Sequence, residues 1–188
     1  PPLPLGCHRS CSENGFYMKL SSIGSASVTL LLRDINPDSF ATFGVLKAVP
    51  EDGGRCLIPT RLVQAAARGE AKLSLITVQS IAKYELSKPK IERHPYSVQV
   101  FIPLGRTPLV SVVATATLEY PRAQDMHAFR APAGQCIAYN EGVWHLGMAC
   151  DGPPMAVAVF IHRLVDGTDT QVRTLDNNLI FKGKASHV

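Results

Sequence analysis

The sequence predicts an all-β fold, a sandwich or barrel of short strands with few short helices. Three observations carry that expectation. Short apolar runs rich in Val, Ile, Leu, Thr and Phe recur along the chain. Pro or Gly separates most of them. Helical signals are confined to two places.

Taken in order, Pro1–Tyr17 is rich in Pro, Ser and Gly and reads as a flexible leader, or a remnant, outside the fold. Met18–Leu32 reads as a signal peptide or a first strand. The strand is favoured, because Ser and Gly interrupt the apolar stretch and Arg33-Asp34 follows at once. Ser27–Leu32 is therefore the first run. Asn36-Pro37-Asp38-Ser39-Phe40 has an N-cap residue, a Pro in the first turn and an acidic first turn, so a short helix is expected there, ending before Gly44. Ala-Ala-Ala within Arg61–Lys72 favours a second helix by propensity alone, although a strand beside a barrel mouth would look similar. The remaining strands are expected at Leu73–Gln79, Val98–Pro103, Leu109–Thr117, Gln135–Tyr139 and Met155–Arg163. The expected organisation is a leader over 1–17, a single domain over 18–182 and a tail over 183–188.

Composition narrows the function classes. The chain has 188 residues, 46% of them hydrophobic, with a mean hydropathy of +0.08. That is enough apolar material for a packed core. No run approaches the roughly 18 apolar residues of a membrane span. The net charge is +4, but the basic residues are scattered, which argues against nucleic-acid binding. The cysteine count is five and no Cys-x-x-Cys pair occurs, so free thiols in a reducing, cytoplasmic compartment are expected rather than a disulfide framework or a zinc ribbon.

The residues that could carry chemistry fall in three stretches. In Glu92-Arg93-His94 the acid and the imidazole are two apart, so an extended strand presents them on one face. Gln99, Phe101 and Gly105 follow. The second stretch, Gly134 to His145, contains Tyr139, Asn140, Gly142, Trp144 and His145. The third is His162-Arg163. Each has a plainer reading beside the functional one. Glu92-Arg93 could be a surface ion pair. Trp144 could plug one end of a barrel. His127 and His162 read as structural, and His8 and His187 as tail residues.

The first two stretches resemble the cupin double motif. Its second half is Gly, five residues, Pro-x-Gly, two residues and His; Gly134, Asn140-x-Gly142 and His145 keep every spacing and change Pro to Asn. In its first half, Glu92-x-His94 stands for His-x-His and Gln99 for the acidic ligand, with Gly105 closing it. The resemblance implies a cupin-like double-stranded β-helix, a jelly-roll barrel. It also implies a ligand set of Glu92, His94, Gln99 and His145 for a divalent metal such as Ni, Zn or Mn. A metal-free site is the alternative.

A closer resemblance follows. Ile-Glu-Arg-His-Pro-Tyr-Ser-Val-Gln-Val-Phe-Ile-Pro (Ile91–Pro103) resembles the signature of the ureidoglycolate lyase family. Asp38–Gly44, Val110–Ala114 and Tyr-Asn-Glu-Gly-Val-Trp-His (Tyr139–His145) are similar to further blocks of it. Three departures stand out. Asn140 and Leu146 replace two of the family's histidines, and Cys56–Arg61 occupies the place of an Asn-x-Gly block followed by Arg.

Membership would imply a homodimeric enzyme of allantoin and purine catabolism that splits ureidoglycolate, a small molecule, into urea and glyoxylate. His145 and His94 would then be the candidate bases, alone or around a metal. Arg61 or Arg93 would hold the carboxylate in a forked pair. Gln99 would bind the ureido group, and Tyr139, Asn140, Trp144 and Phe101 would complete the substrate-binding wall. Two other readings are open here. The departures could mark a repurposed barrel, an isomerase, dehydratase or cyclase of specialised metabolism acting on a larger, less polar substrate. The chain could also be a non-catalytic binding module.

Overall fold

The structure, a computed structural model, describes residues 26–48, 50, 53–58, 60, 69–81 and 85–183. The expected leader, Arg61 and most of the expected tail lie outside these residues, as do Cys7 and Cys11. The fold is almost all β. Among the described residues the one α-helical turn, α1 (Pro37–Phe40), has the predicted N-cap. Asn36 Oδ1 accepts from the backbone N–H of Ser39 at 2.8 Å, Pro37 opens the turn, and Phe40 is buried at its end. Such a cap contributes about 1 kcal/mol. The second expected helix is not one where it can be seen. Gly69–Lys72 already belongs to a strand, because its backbone groups pair with a neighbouring strand over ten consecutive positions, Gly69 to Val78. Propensity gives way to tertiary pairing.

Among the described residues the strands form two sheets. The smaller runs β2 (Gly44–Ala48), β9 (Gln135–Tyr139), β6 (Gln99–Pro103), β12 (Met155–Leu164) and β3 (Gly69–Val78). The larger follows the order β13 (Gln171–Thr174), β5 (Lys90–Arg93), β10 (Trp144–His145), β7 (Leu109–Ala114), β8 (His127–Arg130), β1 (Ser27–Asp34), β14 (Asn178–Gly183) and β4 (Glu85–Leu86). β11 (Ala149–Cys150) also pairs with β7. β1 is parallel to both its neighbours, and the other pairings are antiparallel.

The two sheets enclose a core of Phe40, Phe43, Phe101, Val113, Phe129, Ile137, Tyr139 and Val157. A second apolar layer, with Trp144, Leu146, Leu175 and Leu179, covers the far face of the larger sheet. β7 lies between them and is buried at every residue. Leu109 and Val113 face the first layer, and Val110, Val112 and Ala114 the second. This is the cupin-like barrel that the paired motifs imply.

Close packing is strictest where β2 crosses β9. A Cβ built on Gly44 would lie 2.0 Å from the carbonyl oxygen of Ala138, so no larger residue fits there. Arg130 clamps the other end, with Asp34 at 2.8 Å and Asp151 at 3.1 Å. β3 is an edge strand whose Leu73 and Leu75 are 70% and 73% exposed. Cys56, Cys136 and Cys150 are free thiols. Among the described residues, no helix is long and apolar enough to cross a membrane.

Candidate active site

Strand alternation builds the centre of the site. β5 and β10 pair so that Glu92 lies opposite His145. Glu92 and His94, two apart, both turn into the barrel. The bend at His94 is fixed from the second motif, where the N–H of Gly142 donates to the carbonyl of His94 at 2.9 Å. Gly142 has φ +74°, a conformation that favours glycine, as does Gly134 at +77° on the other side of β9. The two halves of the sequence motif are thus tied by backbone, and the rings of His94 and His145 come to 5.4 Å between centroids.

The three side chains converge on one point. Nε2 of His145 and Nε2 of His94 lie 3.5 Å and 3.8 Å from the same atom, Oε1 of Glu92. Both nitrogens are buried and neither makes a hydrogen bond. His145 donates through Nδ1–H to the carbonyl of Val143 at 3.0 Å, so in the neutral ring Nε2 carries the lone pair. Nδ1 of His94 meets the hydroxyl of Thr170 at 3.3 Å. The two imidazoles, His145 first, hold the Glu92 carboxyl well below the usual carboxylate range, against the opposing effect of burial.

An imidazole lone pair facing a carboxylate oxygen at this distance is stabilised by a proton on the ring or by a cation between the two groups. Bonds of about 2.0–2.2 Å to one ion put neighbouring ligand atoms about 3–4 Å apart, and the ligand atoms of Glu92, His94 and His145 all lie within 4.8 Å of one another. The donor set, its spacing and its orphaned nitrogens fit a divalent metal. The hydrogen bond behind His145 is the kind that orients a metal-binding imidazole.

The site opens into a pocket of about 410 Å³. Glu92, His145, Gln99 and Ser74 supply polar groups to its wall, and Phe101, Met148, Val159 and Ile161 supply apolar ones. Oε1 of Gln99 is buried without a partner, so the amide is available to a ligand. Tyr139 sits just behind, its ring 4.9 Å from that of His145 and its hydroxyl 2.8 Å from that of Ser111. Burial pushes the phenol above its ordinary pKa and keeps it neutral. Phe101 packs edge-on against Tyr139.

The structure therefore brings together Glu92, His94, Gln99, Phe101, Tyr139 and His145. It separates the other expected residues from them. Arg93 follows Glu92 by one position and so faces the opposite side of β5. Its guanidinium stacks 4.6 Å from the ring centroid of Trp144 and donates to Gln171 Oε1 at 2.8 Å. Trp144, one before His145, faces the outer layer too, and its indole N–H donates to the carbonyl of Leu118 at 2.8 Å. Neither lines the pocket that holds Glu92 and His145, where both were expected. The amide of Asn140 donates to the carbonyl of Ala41 at 3.3 Å and braces α1 instead of lining the pocket. Leu146 packs in the outer layer. The two departures at Asn140 and Leu146 thus leave this pocket's polarity intact, and with them goes the main argument for a larger, less polar substrate. Arg61 lies outside the described residues.

Sequence reasoning singled out the His162-Arg163 stretch without giving Arg163 a role, and it missed Lys72, which lines the pocket with Arg163, and Asp169, a 1%-exposed carboxylate 3.0 Å from Arg163 Nε. The signal for Arg163 was its two-residue offset from Ile161 on β12. Asp169 lies in a connection with no pattern to read.

A family model described as ureidoglycolate lyase matches residues 28–182. The ureidoglycolate lyase of Mesorhizobium japonicum is 30% identical over 147 residues, covering 74% of this chain and 88% of its own. That of Schizosaccharomyces pombe is 25% identical over 171 residues, covering 76% and 90%. Ureidoglycolate lyase 2 of Rhizobium meliloti is 29% identical over 126 residues, covering 63% and 76%.

Proposed function

The chain belongs to the ureidoglycolate lyase family, and from that premise we propose that it eliminates urea from ureidoglycolate to give glyoxylate. The convergence of Glu92, His94 and His145 beside the unpartnered amide of Gln99 carries this reading. In the reaction the substrate hydroxyl loses its proton and its oxygen forms the carbonyl of glyoxylate. The carbon–nitrogen bond breaks, and its electron pair stays on the ureido nitrogen, which takes up a proton as urea leaves.

Glu92, His94 and His145 would hold a divalent ion. When bound, that ion would act as a Lewis acid on the substrate oxygens and ease loss of the hydroxyl proton. Glu92 stays ionised beside the two imidazoles, and Val143 fixes the ring of His145. In the ion-free chain the same two Nε2 atoms are the proton acceptors; the two uses exclude each other. Gln99 hydrogen-bonds the ureido group. Phe101, Met148, Val159 and Ile161 exclude water from the reacting carbon. The substrate places the chain in allantoin and purine catabolism, and the free thiols are in keeping with a cytoplasmic setting. Two copies pair through the exposed Leu73 and Leu75 of edge strand β3. Light scattering should return twice the chain mass of 20.3 kDa, and a monomer at all concentrations would refute the pairing.

The deciding experiment is an assay of urea and glyoxylate release from ureidoglycolate by chelator-treated protein, with and without added Ni, Zn or Mn. Equal release of both products supports the reading. No release under any of these conditions overturns it.

A further inference from the structure

We propose that Arg163 is the residue that binds the carboxylate of a small-molecule ligand in this pocket, positioned there by the buried Asp169; the choice of carboxylate rests on the lyase reading above.

Three observations support it. β12 pairs with β6 so that Ile161 lies opposite Gln99, and Arg163 follows on the same face as Val159 and Ile161. All of them line the pocket that holds Glu92 and His145. Arg163 is thus one step along the barrel wall from Gln99, the proposed ureido contact. Next, Asp169 is 1% exposed, and its ion-pair partner among the described residues is Arg163, with Nε 3.0 Å from Oδ2. A carboxylate buried this deeply requires a cation. The pair holds the guanidinium at its Nε edge by charge, without hydrogen-bond geometry. The two terminal nitrogens, Nη1 and Nη2, carry no partner among the described residues, and they are the edge that makes a forked bond to a carboxylate. Lastly, the residue after Asp169, Thr170, touches Nδ1 of His94. One short connection therefore braces both the cation and a residue of the reactive centre, which holds their spacing. Lys72, the other cation of the wall, is already paired with Glu70.

A purely structural Arg163–Asp169 pair would make a different prediction, and ligand binding separates the two. Calorimetry would compare oxalurate, which carries a ureido group and a carboxylate, with oxaluramide, its uncharged amide. Wild-type protein should prefer oxalurate. Arg163→Gln should weaken oxalurate by about 30-fold or more, as loss of a charge partner does, and leave oxaluramide within about twofold. Arg163→Lys, which keeps the charge and loses the fork, should recover part of the loss. Asp169→Asn should weaken oxalurate selectively while the protein stays folded by circular dichroism. Equal effects on both ligands, or none, would overturn the proposal. So would a wild type without preference for oxalurate. The lyase reading is judged separately. Urea release with an Arg163→Gln KM like the wild type's leaves the reaction standing and removes Arg163. Arg163-dependent oxalurate binding without any urea release does the reverse.

Discussion

His145 and Glu92 are directly opposite partners across the β5–β10 ladder, and Nε2 of the first lies 3.5 Å from Oε1 of the second. A cross-strand position is set by backbone pairing. The two side chains are therefore brought face to face by the backbone, and the buried ring of His145 is further held by its bond to the Val143 carbonyl. A divalent ion should bind the folded chain with little rearrangement. Titration of chelator-treated protein with Ni, Zn or Mn should raise its melting temperature, because the ion binds the fold and not the unfolded chain. His145→Ala and Glu92→Gln should each weaken the ion by more than the 10–100-fold typical of losing a supporting contact. Unchanged affinity in both variants would refute the assigned ligands.

Arg93 should matter for stability and not for substrate. Arg93→Ala removes the stacking on Trp144 and the bond to Gln171. The expected loss is about 1–3 kcal/mol in urea unfolding, with KM for ureidoglycolate within about twofold of wild type. A large rise in KM in a fully folded variant would place Arg93 in the pocket after all.

Tyr139 sets an alkaline limit. Its pKa in the fold lies above the unfolded value of about 10. Above that pH the unfolded chain releases a proton that the fold retains, so this residue's contribution to stability falls by about 1.4 kcal/mol per pH unit. Below it the contribution is constant. Tyr139→Phe should flatten this part of the profile while losing about 0.5–1.5 kcal/mol at neutral pH through the bond to Ser111. Urea unfolding at pH 9, 10 and 11 gives both slopes, and parallel slopes would contradict the burial argument.

Gly44→Ala tests the closest approach in the barrel. The added carbon would meet the Ala138 carbonyl at 2.0 Å, and β2 would have to leave β9. The expected cost is about 3 kcal/mol or more. A melting temperature within a degree or two of wild type would show that the sheet yields more easily than its packing implies.

Much of this architecture could be read from the chain, and each failure has a physical cause. The alternation that put Glu92 and His94 together also puts Arg93 on the other side. Charge drew Arg93, and the resemblance of Tyr139–His145 drew Trp144, into the expected pocket, where a strict period of two would have excluded them. The cap at Asn36 was readable because a cap is local. The role of Arg163 was not, because its place depends on the pairing of Ile161 with Gln99, residues from distant parts of the chain. Short strands such as β10 and β11, two residues each, have no periodicity to detect. Gly134 and Gly142 were found through spacing, and their positive φ angles supply the reason for it.

The parallel pairing of β1 with β14, Ser27 with Asn178 through Leu32 with Gly183, has a consequence for synthesis. A ribosome delivers β1 before every other described strand and β14 after them. Until the final strand emerges, one edge of β1 lacks its ladder and keeps the exposed Leu31 beside unpaired backbone groups. The larger sheet therefore closes only once Asn178–Gly183 has emerged, and contacts this far apart in the chain form slowly. A nascent chain stalled before residue 178 is an open-edged intermediate, the kind of species whose unpaired strand edge is prone to aggregation.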